Sequence, residues 1–148
     1  MGSRSGFLVV AALALASAAC SSGRHSASAF HLPPDGDVER GKTAFVALGC
    51  NECHEVSGAD LPRPTVQPPV PVTLGGVLDT RLSDAYLVTS IVYPSYDLAP
   101  HPKAQIANGG QSRMPHDYAG RMTVRQLTDI VAFLQSRYIV PRLPESYR

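Results

Sequence analysis

Apolar positions recur at helical spacing in three stretches of the chain. From Asp37 onward, Val38, Gly41, Ala44, Phe45 and Leu48 share one helical face, with Asp37 placed to cap the start. Ser83 can cap a second, shorter helix that carries Tyr86, Leu87 and Ile91 and stops before Pro94. Thr123, with Gln126 three residues later, makes a capping box. Val124, Leu127, Ile130, Val131 and Leu134 behind it form the stripe of a final helix predicted to run to Arg137. Gly41 is out of place, since glycine in a helix interior costs about 1 kcal/mol relative to alanine. Either it is a tolerated surface glycine or another element approaches closely there. No alternating apolar run flanked by hairpin turns is present, so the pattern predicts an all-α fold with long loops.

The first residues follow a different rule. Arg4 precedes an apolar run from Phe7 to Ala16 and then the small residues Ser17-Ala18-Ala19-Cys20. That layout is a secretory signal, and the run is too short to span a bilayer, which takes about 20 residues. Small residues before a cysteine resemble a bacterial lipobox, which makes Cys20 a lipidation site. Ordinary cleavage after Ala18, leaving a spare thiol, is the alternative. Each buried CH₂ of an acyl chain contributes about 0.8 kcal/mol to membrane binding. Residues 21 to 36, SSGRHSASAFHLPPDG, are small and polar and read as a flexible tether. The chain therefore divides into a signal at 1–19, a lipid-anchored tether at 20–36 and a folded domain at 37–148. It is expected on the periplasmic side of a bacterial membrane.

Composition narrows the partners. A formal net charge of +1 gives no basic footprint for nucleic acid. The 13 prolines and 12 glycines indicate a loop-rich domain, and five prolines fall within residues 62 to 72, PRPTVQPPVPV, which excludes helix there. Three modest helices with long loops bury limited apolar surface, and a domain of that kind calls for a staple. A bound cofactor is the natural one.

The stretch Gly49-Cys50-Asn51-Glu52-Cys53-His54-Glu55 offers three chemistries. A structural zinc site takes four Cys or His ligands, and beyond this motif the folded region supplies only His101 and His116. A thioredoxin-like redox pair sits in a βαβ context, and none is visible. Cys-x-x-Cys-His is also the attachment signature of c-type haem. In that chemistry the two thiols add to the vinyl groups and the adjacent histidine binds iron axially. Export, a thin core and His54 together favour haem. The other axial position then falls to Met114, in the loop GGQSRMP, in preference to Met122 beside the cap of the last helix. His101 and His116 remain further candidates.

These residues resemble the class I c-type cytochromes. The stretch GDVERGKTAFVALGCNECHEV looks like the opening of that family. SRMPHDYAGRMTVRQLTDIVAFLQSRY resembles its distal methionine loop and last helix in small bacterial monohaem members, and PVTLGGVLDTRLSDAYLVTSIVYPS is similar to the joining segment. The resemblance implies a cytochrome c-like fold of three or more helices around one covalent haem c. It implies that Gly41 and Phe45 pack on Phe133, and that the Pro71 carbonyl accepts the His54 Nδ1 proton, orienting the ring and raising its basicity. The reading is a membrane-tethered electron carrier, not an enzyme, with iron held by His54 and Met114. Its partners are other redox proteins, and it takes no small-molecule substrate; Lys103, Arg113 and Arg121 are either a docking rim for those partners or, as scattered charges usually are, solvated surface. Two alternatives stay open: the haem subunit of a periplasmic oxidoreductase complex, and a ligand-binding haem protein with an open sixth position.

Overall fold

The computed structural model describes residues 31–65 and 70–141. The signal segment and Cys20 lie outside the described residues. Helix α1 spans Val38–Ala47 and is capped as its sequence predicts, with the Arg40 N–H donating to Asp37 Oδ1 at 2.8 Å. A single 3₁₀ turn follows at Cys50–Glu52, and strand β1 at His54–Val56. Strands β2 (Val72–Leu74) and β3 (Gly76–Val77) precede helix α2 (Asp84–Val92), where Ser83 Oγ accepts the Tyr86 N–H. A four-residue helix α3 (Lys103–Ile106) leads into the hairpin β4–β5 (Ala107–Asn108 and Gln111–Ser112). Gly109 and Gly110 form its turn with φ of +57° and +82°, the two positive values that a tight two-residue hairpin requires.

Helix α4 (Tyr118–Arg121) is again one turn. Helix α5 (Val124–Gln135) opens on the reciprocal Thr123–Gln126 box and ends two residues short of Arg137. Strand β6 (Tyr138–Ile139) returns beside β3 in parallel register.

The core is the crossing of α1 over α5. Phe45, Ile130, Val131 and Phe133 are fully buried there, and the Phe45 and Phe133 rings meet edge-on with centroids 5.7 Å apart. Gly41 lies at the crossing point. A Cβ at that position would fall on the Asp129 carbonyl and within 2.8 Å of Phe133 Cβ, so close approach, not surface tolerance, explains the glycine.

One acidic residue shares this crossing. Asp129 is only 2% exposed, and its carboxylate accepts from the Asp37 N–H (2.8 Å), Arg40 Nε (2.9 Å) and Arg40 Nη2 (3.0 Å). The Arg40 guanidinium, helped by the Asp37 N–H, holds that carboxyl below its ordinary range.

The five helices and long loops agree with the all-α expectation, and among the described residues three two-stranded ribbons, β1–β2, β3–β6 and β4–β5, accompany them. Each strand is two or three residues long, too short to show alternation, and pairs only because the loops bring it to its partner. The domain boundary expected at position 37 needs correction, because residues 32–36 belong to the compact unit. Leu32 packs on the core, and the Asp35 carboxylate pairs with Arg125 at 2.9 Å, so the compact unit starts at Leu32. Among the described residues no helix is long and apolar enough to cross a membrane.

Candidate functional site

The motif Cys50–His54 lies where α1 ends and the chain turns back. Gly49, at φ +73°, makes the reversal, and the 3₁₀ turn leads directly into β1. This order, helix then turn then strand, is the reverse of the strand-to-helix junction that carries a thioredoxin-like pair. The thiol chemistry argues the same way. Burial pushes the Cys50 thiol up to about 11, with the Tyr118 hydroxyl and Arg121 pulling weakly against it. A redox nucleophile needs the opposite shift. Both Cys50 and Cys53 are free thiols, one half-buried and the other exposed.

His54 is half-buried, and its Nδ1 faces the Val72 carbonyl at 3.2 Å. A nitrogen facing a carbonyl is the donor, so Nδ1 carries the proton and Nε2 keeps its lone pair. Burial lowers the His54 pKa, with the Val72 carbonyl working against the shift, and this favours the neutral, ligating form. Pro71 is therefore not the acceptor. The parallel register sets His54 opposite Val72, one residue further along, while Pro71 lines the cleft nearby.

That cleft measures about 370 Å³, within the roughly 300–1,000 Å³ usual for cofactor sites. The motif forms one side of it and Pro64 and Pro71 another. The two residues between the cysteines tie these sides together. Asn51, buried, donates from Nδ2 to the Pro62 carbonyl at 3.2 Å. Glu52 Oε2 accepts both the Thr65 N–H (2.6 Å) and the Thr65 hydroxyl (2.8 Å). Nothing local in the sequence signals either role, because the partners lie across a proline-rich loop.

The distal residues sit apart from the cleft lining. Met114 is half-buried just after β5, with its N–H bonded to Ser112 Oγ at 3.1 Å. Met122 closes α4 and packs on the core, as expected of it. His101 is exposed, and the exposed His116 gives its Nε2 to the Ser112 carbonyl at 2.9 Å. Tyr118, four residues beyond Met114, is buried and lies near enough to Cys50 to draw the thiol's pKa down, so the segment after Met114 lies near the cysteine turn. Of the three cations weighed as a rim or as solvated surface, Lys103 is exposed and Arg113 reaches the Ala104 carbonyl. Arg121 is ion-paired to Asp117 at 2.9 Å and stacked 4.9 Å from the Tyr118 ring centroid.

Two thiols on one turn, followed at once by a neutral imidazole with a free Nε2 at a cleft, are the donor set that a covalently attached haem requires. The residues fit the group. Neither the curated proteins nor the solved structures include a significant match to the chain. The family model for Cytochrome c matches residues 38–137, from the first residue of α1 to just beyond α5. With well over half of its length matched, the chain belongs to the cytochrome c family and binds haem c, with its iron, covalently.

Proposed function

We propose that the protein is an exported, membrane-tethered electron carrier in which Cys50 and Cys53 anchor the haem and His54 and Met114 ligate its iron. The observation that carries the proposal is the His54 ring, turned by the Val72 carbonyl so that Nε2 is the nitrogen left to bind. Haem c supplies one-electron exchange at iron. Every other task belongs to the chain. The Val72 carbonyl fixes the tautomer and orientation of His54. Asn51 and Glu52 hold the proline-rich wall across the cleft. The Met114 thioether favours the reduced metal and so raises the potential.

The placement of Tyr118 near Cys50 supports Met114, since it draws the methionine loop toward the attachment turn. If His54 and Met114 both held the iron, no site on it would remain for a substrate. Partners are then redox proteins met through interfaces of less than about 1,200 Å². The apolar run Phe7–Ala16 ahead of Cys20 supports the lipid anchor.

Carbon monoxide titration of the reduced protein tests the carrier assignment. Little or no binding at neutral pH is expected, and rapid, complete binding would overturn it. Met114→Ala is expected to lose the sulfur-to-iron charge-transfer band and to lower the potential. Cys20→Ser is expected to move the protein from the membrane to the soluble fraction, and continued membrane retention would refute the anchor.

A further inference from the structure

Ser112 makes hydrogen bonds with three different residues, two in the turn that presents Met114 and one on the loop that follows α2. Its N–H donates to Ser95 Oγ at 3.0 Å, which ties the hairpin β4–β5 to the loop that follows α2. Its own Oγ accepts the Met114 N–H at 3.1 Å. Its carbonyl accepts His116 Nε2–H at 2.9 Å, which closes the Met114-Pro115-His116 turn back onto the strand. Behind this node the hairpin is seated by the buried Ala107, paired in register with Ser112, and by the Arg113 N–H to the Ile106 carbonyl at 2.8 Å.

We infer that Ser112 is a positioning residue for the sixth iron ligand: it clamps the Met114 turn in place through Ser95 on one side and His116 on the other. The inference rests on the reading of Met114 as that ligand. Its physical content is preorganisation. A side chain that begins from a fixed backbone amide loses less conformational entropy on binding than one on a free loop, so the clamp favours the protein's own thioether over any ligand arriving from solution. The arrangement also gives His116 a task, since its Nε2 is committed to the Ser112 carbonyl and is not turned toward a metal.

Imidazole binding to the oxidised holoprotein, followed at the sulfur-to-iron charge-transfer band, tests this. Ser112→Ala is expected to bind imidazole about threefold to tenfold more tightly than the parent, the factor equivalent to one net hydrogen bond. Ser112→Thr, which keeps the hydroxyl, should restore the parent affinity. Ser95→Ala should shift it in the same direction as Ser112→Ala. Exchange of the Met114 amide proton should quicken in Ser112→Ala while that of α5 stays unchanged. Unchanged imidazole affinity in Ser112→Ala would overturn the clamp, including the case in which only the thermal midpoint falls. Met114→Ala separates the two levels of argument: if the band survives that change, the ligand assignment fails and the clamp with it. If the band is lost there but Ser112→Ala binds imidazole as the parent does, only the clamp fails.

Discussion

The crossing of α1 over α5 and the loops around the cleft are built by different means. At the crossing, side chains interlock: Gly41 admits a backbone, Phe45 and Phe133 meet edge to face, and Asp129 is satisfied by three donors. Around the cleft, single hydrogen bonds join one loop to another, as in Asn51 to Pro62, Thr65 to Glu52 and Met114 to Ser112. The first region is a packed interior that holds itself together. The second is a frame whose walls are spaced for something else to fill. A domain with so few buried large side chains would gain apolar contact from a haem held in that frame.

The largest expected break in this contrast is Phe133→Ala, which empties the centre of the crossing. It should destabilise the holoprotein by about 3–5 kcal/mol in denaturant unfolding. Gly41→Ala attacks the same place from the opposite direction, by overpacking, and should cost about 1–3 kcal/mol. A smaller loss of only a few tenths of a kcal/mol would mean that α1 can slide away from Asp129 and that the crossing is not tight. On the cleft side, Asn51→Ala removes one bond to the proline-rich loop and should cost about 1 kcal/mol. That loss should appear as faster hydrogen exchange at residues 61–65, with α5 unaffected. The smallest effect is one of pH. Asp129 titrates lower when folded than when unfolded, so its contribution is complete above the ordinary carboxylate value of about 3.9 and fades as pH falls through the depressed folded value. Acid unfolding of Asp129→Asn should lack that component, and an identical acid profile would show the carboxylate to be idle.

The same contrast governs what was legible in the chain. Helices α1, α2 and α5 and their caps at Asp37, Ser83 and Thr123 could be read directly, because a cap and an apolar stripe are local signals. The packing partner of Gly41 was available only through the family resemblance. The ribbons were not legible, since strands of two or three residues have no period to detect and their partners lie far along the chain. For the same reason the carbonyl that orients His54 was misplaced by one residue, from Val72 to Pro71. Register, not composition, decides which carbonyl faces the ring. Asp129 went unmarked because an acid next to an apolar stripe reads as solvated unless Arg40, 89 positions earlier, is known to face it. The attachment motif was legible as chemistry because its residues are contiguous, whereas the Ser112 node is an arrangement of three loops.

The separation of the partners at the crossing has a consequence for when the domain can fold. The bonds from Asp37 and Arg40 to Asp129 join residues 92 and 89 positions apart. Gly41, Phe45 and Arg40 have nothing to close upon until α5 is formed, and closures of such long range are slow because the loop entropy must be met first. The Cys50–His54 segment lies inside the long loop that this crossing closes, so one contact between distant ends fixes the flank of the attachment motif.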